Sequence, residues 1–409
     1  MYYICKVEGK KLWDDPKDMS KIISDIEENK DKITGIDLSQ NSIGIECAKI
    51  LKNPISKIQN LTKVNYRDLF VSRLKEDLPI SLKYLMESIT DKKITYLDLS
   101  DNAFGPTAIK SFNFFLEKNI TLKELHLENN GLGPEGSEEV ANSLLKNNNM
   151  KLSLIKLNRN RLENKGAIAF SKVFSHMKSL EHVEIFQNGI KEDGMIEIIK
   201  SFDNNRNLKV IKINDNWIKS GAKIFSEIIP NLCHLKILDI SDLKIGNSNA
   251  VLIFKSLSLL NEIEEIYSNY NETEKKNAQE EIFNILLKMN SLKIVEIKGN
   301  MINRKLYNKF KKEFDKKKFD CYSSEEEDLN EEEEEEEDEK EIKKEEIKEI
   351  KKEENEKEIK KEEIKEIKKV EDEKEIKKEE IKEIKKEKKN EEDVTDEIIK
   401  KMDNLDIHS

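Results

Sequence analysis

Residues 94–106 read ITYLDLSDNAFGP, and residues 122–134 read LKELHLENNGLGP. Both segments place an aliphatic residue at the first, fourth and sixth positions and an asparagine at the ninth. The two asparagines, Asn102 and Asn130, are 28 residues apart. Alternating apolar positions predict a short strand with one buried side, and the asparagine predicts a turn after it. A unit that recurs at such a fixed interval indicates a repeat architecture.

The same unit can be placed ten times between residues 33 and 300. Its ninth position falls at Asn41, Leu69, Asn102, Asn130, Asn160, Asn188, Asn216, Leu243, Asn271 and Asn300. The successive steps are 28, 33, 28, 30, 28, 28, 27, 28 and 29 residues. A consensus of this kind is that of the leucine-rich repeat, in which a helix follows each strand. The expected fold class is therefore α/β, a leucine-rich-repeat solenoid shaped as a horseshoe, with strands inside and helices outside.

Four segments are expected along the chain. Residues 1–30 form an N-terminal cap of a strand and a helix, because a terminal repeat cannot bury its apolar face alone. Residues 31–305 hold the leucine-rich repeats, and residues 306–322 form a basic C-terminal cap helix. Residues 323–409 are a charged low-complexity tail that contains EIKKEEIKEIKK three times. This composition cannot bury a core, so the tail should be largely disordered or partly helical.

The charge of the chain is divided unevenly. Residues 323–409 carry 22 Lys+Arg against 39 Asp+Glu, a net charge of −17, whereas residues 1–322 have a net charge of +6. The acidic balance argues against nucleic acid as the main ligand. No apolar run approaches the ~20 residues of a membrane span, and the N-terminus has no apolar signal-peptide core. The four cysteines are scattered, which favours free thiols in the cytosol or nucleus.

The repeats suggest where a partner binds. Strand positions that face away from the core in the third and fourth repeats are polar, including Asp98, Ser100 and His126. The inner face should therefore be solvated and available for binding. Ala108, Phe112 and Phe115 recur at helical spacing and predict a full helix in the third repeat. Enzyme signatures such as GxxxxGK[ST], GxSxG and HExxH are missing, so the residues alone favour an interaction scaffold.

The second repeat contains an insertion. Its step to the next repeat is the longest, at 33 residues, and it includes FVSRLKEDLP at residues 70–79. Insertions in solenoids map to loops on one face, which is often the binding face. Arg73 and Lys75 lie in this loop, and both are candidates for contact with a partner.

Several segments are more specific than the repeat consensus requires. They are CKVEGKKL (5–12), FVSRLKEDLP (70–79), LSDNAFGPTA (99–108), ENNGLGP (128–134), NRNRLEN (158–164) and FQNGIK (186–191). In this order they resemble the GTPase-activating proteins of the small GTPase Ran. The resemblance is strongest between about residues 33 and 220.

This resemblance implies specific roles. Asn129 matches the asparagine with which the family reaches the GTPase site, and Arg73 matches its essential loop arginine. Both are candidate catalytic residues, and Arg73 could act as an inserted finger or as an anchor for the GTPase. The candidate partner-binding residues are Lys75, Asp101, Arg159 and Arg161. Ser72 stands where the family has glycine, which could alter the backbone angles that the loop can adopt.

The resemblance also implies a function and a setting. The chain would stimulate GTP hydrolysis by Ran in its GTP form and support nucleocytoplasmic transport, without being an enzyme by itself. It would need no cofactor, because the GTPase binds GTP and Mg²⁺. A Ran-binding protein is a further expected partner, the chain is expected to be a monomer, and its expected location is the cytoplasm, including the nuclear envelope. The alternative function is a non-catalytic leucine-rich-repeat binding scaffold.

Overall fold

Parallel strands in chain order form the centre of the fold. The computed structural model describes residues 2–4, 12–314 and 318–320, and within them one sheet has twelve strands. These strands are β1 (Tyr2–Ile4), β3 (Gly35–Asp37), β5 (Lys63–Asn65), β6 (Tyr96–Asp98), β7 (Glu124–His126), β8 (Leu154–Lys156), β9 (His182–Glu184), β10 (Val210–Lys212), β11 (Ile237–Asp239), β12 (Glu265–Tyr267), β13 (Ile294–Glu296) and β14 (Lys318–Asp320). A second, two-stranded sheet pairs β2 (Leu12–Trp13) with β4 (Ser42–Ile43).

A helix follows each strand of the repeats. The helices are α1 (Ser20–Asn29), α2 (Ile45–Ser56), α3 (Asp77–Ile89), α4 (Asn113–Lys118), α5 (Gly133–Lys146), α6 (Glu163–Met177), α7 (Glu192–Phe202), α8 (Gly221–Ile228), α9 (Asn247–Leu257), α10 (Lys276–Lys288) and α11 (Arg304–Lys311). Short 3₁₀ helices span Pro16–Met19, Pro106–Ser111, Ile229–Asn231 and Lys312–Phe314. The alternation of strand and helix confirms the leucine-rich-repeat solenoid predicted from the sequence.

The core lies between the sheet and the row of helices. The middle residue of each three-residue repeat strand is fully buried, as Leu97 and Leu125 show in adjacent repeats. Consensus aliphatic residues of all ten repeats join one continuous cluster with helix residues such as Phe115 and Phe174. Each repeat thus buries its apolar side only against its neighbours.

The asparagines at the ninth repeat position form a buried ladder. The side-chain oxygen of Asn130 accepts the backbone N–H of Asn102 at 2.9 Å, and the oxygen of Asn160 accepts that of Asn130 at 3.0 Å. The side-chain nitrogen of Asn130 donates to the carbonyls of Leu99 and Leu127. Each ladder asparagine from Asn102 onward therefore satisfies backbone groups of two repeats, which explains why this residue type recurs at the position.

The N-terminal segment covers the first repeat. Trp13 is buried, and its indole N–H donates to the side-chain oxygen of Asn41 at 3.0 Å. Beyond the tenth repeat, α11 begins at Arg304 and ends at Lys311, and β14 then pairs with β13. The expected continuous helix over residues 306–322 is therefore wrong, because the chain returns to the sheet and adds a strand that covers its edge. Residues 323–409, the predicted tail, lie outside the described residues.

Two further expectations were wrong. The third repeat has a 3₁₀ helix and the short α4 instead of one helix, because Phe112 leaves the helical region at φ −139° while its ring stays in the core. Asp98, Ser100 and His126 are buried although they face away from the core. Hydrogen bonds hold the first two, since the Ser100 N–H donates to Asp98 and Ser100 accepts the Glu128 N–H. The polar strand positions are thus only partly solvated.

Candidate functional site

Residues with a left-handed backbone conformation form a row along the carboxyl ends of the strands. The residues are those that precede each ladder position: Gln40, Asp68, Asp101, Asn129, Arg159, Gln187, Asp215, Asp242, Tyr270 and Gly299. All have φ between 49° and 64°. We call this row the turn edge. The left-handed region favours glycine, asparagine and aspartate, yet arginine and tyrosine also occur here. The backbone therefore permits Asn129 at this position but does not require it.

Asn129 is exposed on the turn edge and has a fixed amide orientation. Its side-chain nitrogen donates to the Asp101 carboxylate at 2.9 Å. A carboxylate only accepts hydrogen bonds, so the nitrogen must face Asp101. The side-chain oxygen of Asn129 has no hydrogen-bond partner among the described residues. What Asn129 offers to a partner protein is therefore a positioned acceptor.

Asp101 connects two repeats at this point. Its second carboxylate oxygen lies 2.6 Å from the guanidinium of Arg67, which also lies 3.7 Å from Glu128. Arg67 was not among the residues predicted from the sequence. Its place in the repeat is equivalent to that of Ser100 and Glu128. An arginine at this position, with carboxylates one and two repeats further on, was the signal that could have found it. Asp101 thus positions Asn129 and is itself held by Arg67.

Arg73 does not project from its loop. Its side chain is only 10% exposed, and its guanidinium contacts the Asp14 carboxylate. It also donates to the carbonyl of Trp13 at 3.2 Å and to the carbonyl of Ser42 at 2.5 Å. In this structure the arginine thus holds the insertion loop against the N-terminal cap.

The insertion loop is shorter than the sequence indicated. Residues 77–79 form the first turn of α3, and the loop ends at Glu76. Phe70 forms an isolated antiparallel bridge with Ser42, and the Ser42 hydroxyl donates to the carbonyl of Val71. Ser72 takes φ +60°, the left-handed conformation that glycine would adopt most easily. The serine therefore keeps the turn despite the departure from the family pattern.

The other predicted contact residues are exposed. Lys75 follows Leu74, whose surface is 67% exposed, and Lys75 makes no hydrogen bond or ion pair with a described residue. The Nε of Arg159 donates to the side chain of Gln187 at 2.6 Å. Arg161 is exposed, in the left-handed region, and has no side-chain partner among the described residues. The structure places Asp101, Asn129, Arg159 and Arg161 in three successive repeats of one edge.

A second cluster of charges lies on the open face of the sheet, formed by the first and third residues of each strand. Glu184 is buried there, within 2.7 Å of His182 and within 3.3 and 3.5 Å of Lys156 and Lys212. Burial by itself raises the pKa of this carboxyl. The hydrogen bond from His182 and the charges of Lys212 and Lys156 outweigh burial and hold the pKa of Glu184 well below its ordinary value. The carboxylate is thus charged and well paired near neutral pH.

Replacing Glu184 by glutamine is expected to destabilise the repeats at pH 7 and to do so less at pH 3. A folded-state pKa below the ordinary 4.5 means that the ionised form makes its full contribution to stability above about pH 4.5. This contribution decreases below that pH and is lost only as the pH falls through the folded-state pKa. The loss at pH 7 should be about 2 kcal/mol, since glutamine retains some hydrogen bonds. Thermal unfolding of both proteins at the two pH values tests this. Glu264→Gln, in an exposed pair with Lys293, is the control, and an equal difference at both pH values would contradict the prediction.

The described residues contain neither a metal-binding cluster nor a membrane-spanning helix. Within those ranges, no group of three or more His, Cys, Asp or Glu side chains could hold a metal ion. Nor does any described helix have the length and apolar character needed to cross a membrane.

Similarity to known proteins agrees with this architecture. A model of the leucine-rich-repeat family matches residues 90–112 and 118–141. Ran GTPase-activating protein 1 of Xenopus laevis is 32% identical over 115 residues, which make up 27% of this chain and 20% of that protein. Ran GTPase-activating protein 1 of Saccharomyces cerevisiae is 33% identical over 99 residues, 23% of this chain and 24% of that protein. The chain has the leucine-rich-repeat fold and is similar in part of its sequence to Ran GTPase-activating proteins.

The resemblance predicted from the sequence motifs is thereby confirmed, and its extent is limited. The matched segments span only about a fifth to a quarter of the length of these curated relatives. Among solved structures, an internalin from Listeria monocytogenes is 13% identical, with a TM-score of 0.39 over 72% of this chain and 81% of that chain. The roles assigned to Asn129, Arg73 and the four partner-binding residues remain predictions.

Proposed function

We propose that this protein stimulates GTP hydrolysis by the small GTPase Ran and supplies Asn129 to the GTPase active site. The similarity to Ran GTPase-activating proteins supports Ran as the GTPase. The exposure of the turn edge supports this edge as the surface that contacts Ran. A role in nucleocytoplasmic transport belongs to the same proposal.

The chemistry of the proposed reaction needs little from the activator. A GTPase binds its nucleotide and Mg²⁺ with its own residues, and a glutamine of the GTPase orients the attacking water. An activator accelerates the reaction by completing and fixing this arrangement. The missing nucleotide-binding motif is consistent with that role, and the activator is not an enzyme by itself.

The observation that carries the proposal is the fixed amide of Asn129. Asp101 holds the amide nitrogen, so the side-chain oxygen is the group available to a partner. A glutamine side chain of the GTPase can donate its amide N–H to this oxygen. Such a bond would fix the glutamine and thereby the attacking water, and it would exist mainly in the complex that reacts.

The same proposal assigns the partner and the setting. Ran binds in its GTP form, with Arg159 and Arg161 contacting it one repeat beyond Asn129 and Lys75 contacting it from the insertion loop. A Ran-binding protein can join the complex, the activator acts as a monomer, and it works in the cytoplasm, including the nuclear envelope.

A single-turnover assay tests the proposal. GTP-loaded Ran is mixed with substoichiometric amounts of this protein, and phosphate release is followed over time. The expected acceleration is at least about 10³-fold, within the range that GTPase activators reach. Ran that lacks its catalytic glutamine is the control and should not respond. Binding without acceleration would instead establish the alternative, a non-catalytic binding scaffold.

A further inference from the structure

The side chain of Arg73 joins the insertion loop to the N-terminal cap. The guanidinium contacts three acceptors, which are the Asp14 carboxylate and the carbonyls of Trp13 and Ser42. The remaining nitrogen, Nε, is buried and has no hydrogen-bond partner among the described residues. The donors of this side chain are thus directed into the protein and not toward solvent.

Gly44 supplies the space for this contact. A Cβ atom at Gly44 would lie 2.8 Å from the Asp14 carboxylate and 3.0 Å from a terminal nitrogen of Arg73. Gly44 has φ −79°, a value that any residue adopts, so its backbone angles do not call for glycine. Its small size does, because the ion pair of Asp14 and Arg73 packs directly against the backbone there. The contact is therefore built into three separate segments of the chain.

The segment after Arg73 lies between the Arg73 contacts and α3, where the Leu74 carbonyl accepts the N–H groups of Asp77 and Leu78. The residues before Arg73 are fixed by the bridge between Phe70 and Ser42 and by the left-handed turn at Ser72. Residues 74–76 are exposed, and α3 begins directly after them. The Arg73 contacts thus fix one end of the segment that presents Leu74, Lys75 and Glu76 to a partner, and α3 fixes the other end.

We propose that Arg73 acts on the GTPase indirectly, as a clasp with Asp14 that positions residues 74–76 for contact with the partner. This inference rests on the proposed function, and it assigns Asp14 as a positioning residue. To insert as a finger, Arg73 would have to leave all three acceptors at once, and the Asp14 carboxylate would lose its partner. The clasp instead keeps these contacts while the GTPase is bound.

A double-mutant cycle tests the clasp. Asp14→Ala, Arg73→Ala and the double variant are compared with wild type in the single-turnover assay, with Ran varied to separate apparent affinity from the maximal rate. Each single change should weaken apparent affinity by about tenfold or more, and the double variant should be no worse than the poorer single one. Arg73→Lys should not restore affinity, because lysine cannot contact three acceptors. A direct role of Arg73 predicts the opposite: a severe effect of Arg73→Ala, a slight effect of Asp14→Ala, and effects that multiply.

Two controls make the outcome specific. Glu27→Ala removes an exposed ion pair with Lys57, which also joins the cap to the first repeat, and should leave affinity unchanged. Amide hydrogen exchange is measured without Ran for Arg73, Asp77 and Leu78, whose N–H groups donate to the carbonyls of Phe70 and Leu74. It should be faster in Asp14→Ala than in wild type. If wild-type protein does not accelerate hydrolysis, the proposed function fails, and the exchange experiment still tests the clasp. Unchanged exchange in Asp14→Ala would overturn the clasp whatever the activity.

Discussion

Asn129→Gly is expected to lower stimulated GTP hydrolysis by about 10²–10³-fold, the range observed when one positioned polar group is removed from an active site. Glycine is the appropriate replacement because residue 129 has φ +52°. Alanine would add about 1 kcal/mol of backbone strain in the left-handed region, whereas glycine adopts it freely. The loss should therefore reflect the missing amide alone.

The measurement is the maximal single-turnover rate at saturating activator. The lost group acts on the reacting complex, so the maximal rate should fall more than the apparent affinity. Asp215→Gly is the matched control, since residue 215 has φ +53° on the same turn edge three repeats away. Thermal unfolding should show that both variants are about as stable as wild type. Equal rates for Asn129→Gly and Asp215→Gly would remove Asn129 from the proposed site.

The sequence predicted the repeats well because their burial is periodic. The central strand residues and the ladder asparagines recur at nearly constant intervals, and every ladder asparagine proved to be buried. The contrast between Asn130 and Asn129 was also predictable, since only the former occupies the ninth position. Local spacing was sufficient for both inferences because neighbouring repeats supply the contacts.

The orientation of Arg73 could not be predicted in this way. Its partner, Asp14, is 59 residues away and lies outside the repeats, so no periodicity relates the two residues. The burial of Asp98 and His126 was missed for a related reason. The alternation of apolar and polar residues assigns each strand residue to one face of the sheet. It does not show which neighbouring side chains cover that face. The Tyr96 ring is an example, since its centroid lies 5.0 Å from that of the His126 ring. Contacts that do not follow the repeat period were therefore visible only in the structure.

Asn130→Ala should have the opposite effect to Asn129→Gly, a large loss of stability with the chemistry retained. Asn130 is fully buried, and alanine leaves the N–H of Asn102 and the carbonyls of Leu99 and Leu127 without this partner. Each unsatisfied buried group costs about 1–3 kcal/mol, so we expect a loss of about 3–5 kcal/mol in the free energy of unfolding.

Urea unfolding of Asn130→Ala and Asn129→Gly, measured beside wild type, checks this expectation. At a temperature well below its transition, Asn130→Ala should still stimulate hydrolysis at a rate within about threefold of wild type, because the ladder does not face the partner. A stable Asn130→Ala protein would show that water or shifted backbone replaces the ladder bonds. An inactive but fully folded one would show that the ladder sets the position of Asn129, since the two residues are adjacent and share one turn. The pair of adjacent asparagines thus separates the contribution of the fold from that of the proposed site.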